Sequence, residues 1–258
     1  MTLTTDFGAG SYVGAMKGAI LSVNDELTIV DLDHEVRPHD VRHGAYVLYS
    51  ATPYYPFAAH VGVVDPGVGT QRRAIVCVCE GALFVGPDNG LLIPAARRLG
   101  LKEVREISNR KLGRPELSLT FHGRDLFAPA AAHLLSGTKV TDVGPIVKDF
   151  VDLDFGTPKK RNGGVEGIVI THDRFGNIVT NIPRSEAEKT WSFGDRLTIT
   201  IGGYEMTAPL VHTYGIVAPG EFLATFSSSG FLEISRRESN AAAHLETTPG
   251  MQVTVTKV

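Results

Sequence analysis

Three side-chain types that together could hold and activate a small nucleophile stand in order along the chain. Asp65 ends the apolar run Val61-Gly62-Val63-Val64, and Arg72 follows seven residues later across the Pro/Gly-rich string DPGVGTQR. His122 sits in FHGRD, just before a helix-like run. A carboxylate can orient a water and accept charge from it. A guanidinium can stabilise negative charge as it develops, and an imidazole can relay a proton. A free aspartate, with a pKa of about 3.9, cannot by itself make much hydroxide. Each residue also has a plainer reading. A D-P-G segment after a strand is often only a turn, and His122 could be a satisfied structural histidine. A phosphate loop would need G-x-x-x-x-G-K-[ST], which does not occur, and no G-x-G-x-x-G joins a strand to a helix.

Other groups belong to recognition. Asp6 ends the strand-like TLTTD and is followed within two residues by a glycine; it is either a turn aspartate or a carboxylate for two ribose hydroxyls. THDRFGNIVTNIP, residues 171–183, gathers Asp173, Phe175, Asn177 and Asn181 around Gly176, more than a hairpin needs. An aromatic that stacks and an amide that pairs with a heterocycle edge would account for the surplus. SSSGFLEISRR supplies Ser228 and Ser229, whose hydroxyls and amides could hold an amino-acid carboxylate, and then Arg236. Arg124 and Asp125 read as a local ion pair and cap. His34, His39 and His43, with Asp31 and Asp33, form no H-E-x-x-H and converge on no metal. Cys77 and Cys79 read as small buried hydrophobes on one strand face.

Positioning these groups falls to two kinds of element. Strand-like segments at 1–5, 27–32, 74–79, 82–86 and 101–107, and the run ending at Asp65, alternate with helix-like ones at 11–23, 41–51, 90–99 and 125–135. Ser11 and Asp40 are the expected helix caps. Alternation of this kind predicts an α/β domain over 1–155 with a mostly parallel sheet, whose functional residues gather beyond the carboxyl ends of the strands. Asp6 and Asp65 both fall there. Residues 156–163 read as a linker, and the β-rich runs of 164–258 predict a C-terminal all-β, barrel-like domain. Net charge of −3 gives no basic surface for nucleic acid. No run approaches the ~20 apolar residues of a membrane span, and the N-terminus has no signal-peptide core. A cytoplasmic location is the default expectation.

Taken together the motifs resemble the S-adenosyl-L-methionine hydroxide adenosyltransferases, relatives of the fluorinating and chlorinating enzymes. The matching strings are TLTTDFG, YVGAMKG, DLDHEVRPHDV, VVDPGVGTQR, GPDNGL, FHGRDLFAPAA, DRFGNIVTNI and SSGFLEI, in family order across nearly the whole chain. The resemblance implies hydrolysis of S-adenosyl-L-methionine at C5′ to adenosine and L-methionine, with no metal and no cofactor besides the substrate. It implies a catalytic trio of Asp65, Arg72 and His122, ribose binding by Asp6, and adenine contacts from Phe175 and Asn177 with Arg236 nearby. Methionine contacts are implied for Asp173, Ser228 and Ser229. It further implies a homotrimer whose sites lie between the large domain of one subunit and the small domain of the next. Three positions depart from the pattern: Ser11 replaces an aspartate, and His39 and Ser229 replace the tryptophan and arginine of the halogenating relatives. A halogenase, which would carry tyrosine at Asp65 and lack the histidine of FHG, is one alternative. A non-catalytic nucleotide sensor, with no need for the trio, is the other.

Overall fold

The short apolar runs at the centre of the first half form strands that are buried on both faces. β1 (Thr2–Thr5) and β3 (Ala59–Val63) are buried throughout. Between them come α1 (Ser11–Leu21), β2 (Val30–Asp33) and α2 (Val41–Ala51). β4 (Ala74–Val78), β5 (Leu83–Pro87), α3 (Ile93–Arg98), β6 (Glu103–Glu106) and α4 (Ala128–Leu135) follow. In a computed structural model that describes residues 1–161 and 163–258, the chain divides into two compact units, Met1–Asp154 and Phe155–Val258.

Among the described residues, the first unit carries a six-stranded sheet in the order β2-β1-β3-β5-β4-β6. β1 is parallel to both β2 and β3, and β3 to β5, whereas β4 runs antiparallel to β5 and β6. The sheet is therefore mixed, with its parallel half at the β2–β5 side. The reason is local: β4 and β5 are joined by the tight turn around Gly81, which allows only an antiparallel pair. Strand order reverses between β1 and β3, where Thr5 lies beside Val63. Asp6 and Asp65 thus emerge from neighbouring strand ends at the position where doubly wound sheets bind ligands. Beneath the sheet, Leu3, Met16, Ile20, Val61, Val63, Phe127 and the alanines of α4 form one core.

Several local expectations are refined. Ser11 is the first helical residue rather than the cap; Gly10 precedes it and no side chain caps α1. Asp40 does cap α2, accepting the His43 N–H. The strand expected at 27–32 forms later, at Val30–Asp33. Cys77 and Cys79 are buried, and burial raises both thiol pKa values, that of Cys79 to about 12.

The strand ladders of the second unit are antiparallel: β7 (Lys159–Arg161), β8 (Gly164–His172), β9 (Ile178–Pro183), β10 (Arg196–Ile201), β11 (Tyr204–Pro209), β12 (Phe222–Phe226), β13 (Phe231–Arg236) and β14 (Gln252–Lys257). Their order is β11-β10-β14-β8-β9-β13-β12, with β7 beside β8. An irregularity between Val169 and Thr171 bends β8. A bridge between Leu210 and Ala224 links the two ends, so the sheet is nearly a closed barrel around Val169, Ile178, Trp191, Leu197, Ile199, Leu232 and Val255. Within the stretch read as a linker, Lys159–Arg161 pairs with Gly164–Glu166; its Asn162 lies outside the described residues. No helix among the described residues is long and apolar enough to cross a membrane.

Candidate active site

The string DPGVGTQR folds back on itself. The Asp65 carbonyl accepts the Val68 N–H at 3.2 Å and the Gly67 carbonyl accepts the Thr70 N–H at 3.2 Å. Gly69 has a φ of +78°, and a Cβ there would stand 2.6 Å from the Leu119 carbonyl oxygen, so only glycine fits. These turns return Arg72 to the strand end. Its Nε donates to both Asp65 oxygens at 3.0 Å, and its Nη2 donates to Oδ2. Asp65 is thus a turn residue by its backbone and an ion-pair partner by its side chain. The two side chains are only 5% and 10% exposed, which makes the pair strong in geometry and costly to break.

His122 joins the pair from another element. Arg72 Nη2 lies 2.9 Å from His122 Nδ1. Arginine can only donate, so Nδ1 must be the acceptor and the neutral ring carries its proton on Nε2. Burial and then the Arg72 charge lower the His122 pKa, with Asp65 partly opposing them. His122 precedes a π-type turn, Gly123–Phe127, that runs into α4. Pro129 explains the irregularity: lacking an N–H, it leaves the Asp125 carbonyl to accept instead from Arg114 at 2.8 Å. The fully buried Asp125 carboxylate takes the Ser118 N–H and two bonds from Arg124, tying down the loop that carries Thr120 and Phe121. Phe127 lies under the site, its ring centroid 5.0 Å from the Arg72 guanidinium carbon.

Asp65 and His122 open onto a cavity of about 250 Å³, with Asp6, Phe7, Pro38, His39, Thr120 and Phe121 on its walls. His39 has a left-handed φ of 66°, and its N–H donates to Asp6 Oδ2 at 2.9 Å. A second layer fixes the strand end from behind. Asn89 donates to the Val64 carbonyl at 2.8 Å, and Arg73, next to Arg72, pairs with the buried Asp88. His34 bonds Thr5, and His43 accepts from the Arg37 N–H. Among the described residues, no three His, Cys, Asp or Glu side chains gather in a way that could hold a metal ion.

The second unit carries its own cavity, about 570 Å³, lined by Asp173, Phe175, Asn177, Tyr214, Arg236 and Arg237, among others. Asp173 organises the β8–β9 loop: Oδ1 accepts the Phe175 and Asn177 N–H groups, and Oδ2 accepts the Asn177 amide. Phe175 is 76% exposed, a ring with no cover. Asn181, by contrast, is buried and bonds the Ile168 N–H, so its role is structural. Ser228 and Ser229 are not brought to this cavity. They form the β12–β13 turn, where Ser229 is buried and its hydroxyl bonds Ser227, while Arg236 ends β13 at the other side. A strand of six residues, about 17–20 Å, separates the two groups.

Sequence reasoning missed Tyr214, Phe127, Asn89 and the Arg73–Asp88 pair. Only GPDNGL gave a signal, as a motif without an assigned purpose. Tyr214 and Phe127 are single aromatics whose part depends on long-range packing.

Residues 1–144 match the family described as SAM hydroxide adenosyltransferase N-terminal domain, and residues 167–254 match its C-terminal domain. The (R)-S-adenosyl-L-methionine hydrolase of Salinispora tropica is 40% identical over 99% of this chain and 97% of its own. A fluorinase from an Actinoplanes species is 29% identical over 95% of this chain and 93% of its own. A solved structure of an uncharacterised conserved protein from Thermotoga maritima has a TM-score of 0.93 and 39% identity, covering 99% of both chains. With both halves matched in order, the chain belongs to the SAM hydroxide adenosyltransferase family.

Proposed function

We propose that this protein is an (R)-S-adenosyl-L-methionine hydrolase that forms adenosine and L-methionine. One observation carries the reading: Asp65 and His122, drawn from two separate elements and bridged by Arg72, line one cavity beside Asp6. The greater likeness to a hydrolase than to a fluorinase, 40% against 29% identity, points the same way.

The substrate's sulfonium is a good leaving group and needs no acid. A water held by Asp65 attacks C5′ in line with sulfur; the O–C5′ bond forms as C5′–S breaks, and the electron pair leaves with methionine's neutral thioether. The oxygen that has attacked is a protonated alcohol and strongly acidic, so a weakly basic carboxylate suffices to accept its proton. Arg72 holds that carboxylate in place with three hydrogen bonds and balances its negative charge. His122, locked as the Nε2–H tautomer, donates to the water and orients it, while the proton passes to Asp65.

In this reading Asp6 takes the ribose hydroxyls, and Phe175, Asn177 and Arg236 hold adenine. Asp173 frames that loop, and Ser228 and Ser229 serve the amino-acid end. The catalytic and ribose-binding groups sit on the first unit and the adenine-binding groups on the second, and the family resemblance implies a homotrimer that pairs the N-terminal cavity of one copy with the C-terminal cavity of another. A cytoplasmic location fits a substrate made and used there. Incubation of the pure protein with S-adenosyl-L-methionine, followed by chromatography, tests the function: adenosine and methionine are expected. 5′-Chloro-5′-deoxyadenosine as the main product in excess chloride would establish the halogenase alternative instead.

A further inference from the structure

Behind Tyr214, a wall residue of the C-terminal cavity, lies a buried acid that the proposed chemistry does not use. Glu233 lies in the middle of β13, 4% exposed, between Thr225 of β12 and Val179 of β9. A carboxyl group in such a place needs hydrogen-bond partners. Its Oε1 accepts from two hydroxyls, Tyr214 at 2.6 Å and Ser235 at 2.8 Å. Ser235 is a neighbour on the same strand. Tyr214 is not: it sits on a short helical turn, Tyr214–Ile216, in the irregular connection between β11 and β12. Arg237, just past β13, holds the backbone of that turn by donating to the Gly215 and Val217 carbonyls at 3.3 and 2.7 Å. The tyrosine ring and the backbone of the turn are therefore tethered separately, one to the middle of β13 and the other to the residue just past its end.

We propose that Glu233 is a positioning residue that holds the Tyr214 ring as a fixed wall of the purine seat. The proposal rests on the reading of this cavity as the place of adenine. Tyr214 is 43% exposed and lines the cavity with Phe175 and Asn177. Because its hydroxyl is committed to Glu233, it offers the purine a ring surface rather than a hydrogen bond. A tethered ring loses no rotamer freedom when the ligand arrives, which raises affinity without any new contact. Burial raises the Glu233 pKa, and the Asp173 charge adds to the rise, whereas the two hydroxyls oppose it.

The test is a double-mutant cycle on the full chain, read by calorimetry with adenosine, by steady-state kinetics and by melting temperature. Tyr214→Phe keeps the ring and removes the tether; adenosine Kd and the substrate KM are expected to rise roughly threefold to tenfold, with kcat unchanged. Glu233→Ala is expected to weaken binding equally, and the double variant to be no worse than either single one. Glu233→Gln keeps an acceptor for the tyrosine and is expected to bind almost as the wild type does. Unchanged affinity in Tyr214→Phe overturns the proposal, even if Glu233→Ala fails to fold. Additive losses in the double variant overturn it too, since a merely structural glutamate would not act through the tyrosine. Failure of the unmodified protein to bind adenosine at all removes the purine seat, and this proposal with it.

Discussion

Asp65→Asn separates the chemistry of the Asp65–Arg72 pair from its structural role. The carboxylate accepts three hydrogen bonds from a guanidinium that is itself only 10% exposed. Asparagine keeps one carbonyl acceptor but removes the charge, so Arg72 is left buried and uncompensated. Breaking a buried pair from one side costs about 3–5 kcal/mol, and the retained acceptor places this variant near 3. At about 2–4 °C per kcal/mol for a chain of this size, the melting temperature should fall by roughly 6–12 °C. Turnover should fall by about 10²-fold or more, the scale of a positioned proton-transfer group. The two effects part in Asp65→Asn/Arg72→Gln, where no charge is left unpaired: much of the melting temperature should return, and none of the rate. The assay is kcat for adenosine release, measured at least 20 °C below the melting point of each variant, beside a thermal melt. Wild-type kcat in Asp65→Asn, or recovery of rate with stability in the double variant, would refute the argument and leave DPGVGTQR a turn with an ion pair.

Arg72→Lys should lower kcat by about tenfold or more, because a point charge cannot span both Asp65 oxygens and His122 as the planar fork does; kcat within twofold of wild type would contradict this. The acid limb of kcat/KM should lie below pH 6.5, since burial and Arg72 lower the His122 pKa and protonation would set Nδ1–H against the Arg72 donor; a limb centred above 6.5 would count against His122. His60, fully buried with Thr2 on Nδ1, has its pKa pushed down by burial to about 4. The unfolded chain takes up a proton there that the folded one refuses, so its contribution is present above pH 6.5 and is lost as pH falls toward 4. Urea titrations should show roughly 2–3 kcal/mol less stability at pH 4.5 than at 7.5 from this residue, and His60→Gln should flatten that part of the profile.

How far the sequence could be read depended on the range of the forces involved. The Asp65–Arg72 pairing was legible as one of two local readings, since a buried run stops at Asp65 and Pro66 with the glycines can turn Arg72 back; His122 was joined to the pair only through the family resemblance, because its contact with Arg72 spans fifty residues. Asp40 as a cap was equally local. Ser11 was not, since the choice between Ser11 and Gly10 turns on a single residue of helix start. The antiparallel pairing of β4 with β5 was local as well, since only Glu80 and Gly81 lie between the strand-like runs 74–79 and 82–86, whereas the pairing of β4 with β6 across α3 was not. The Lys159–Arg161 strand was hidden by its charges, which read as solvated chain although an edge strand tolerates them. The separation of Ser228 and Ser229 from the Asp173 loop follows from β13 pairing with β9, a long-range fact that no spacing reveals.

The site geometry also bears on why water, rather than a halide, should be the nucleophile. A halide can only accept hydrogen bonds, and it gains from a dry pocket lined with donors. Here the group at the strand end is a carboxylate, which accepts from a water O–H and repels an anion. Arg72 does not reverse that balance, because its Nε and one terminal nitrogen are already directed at Asp65, and the same terminal nitrogen reaches His122. A water satisfies both neighbours: it donates to Asp65 and accepts from the Nε2–H that the Arg72–His122 bond enforces. It then needs to lose its proton only after the C–O bond has begun to form, when the proton is most acidic. A chloride in the same place would face a carboxylate with nothing to offer it, and would have to shed its hydration shell to get there. On the proposed mechanism the selection of water therefore lies in the sign of one side chain, with Arg72 and His122 holding that side chain and orienting the water.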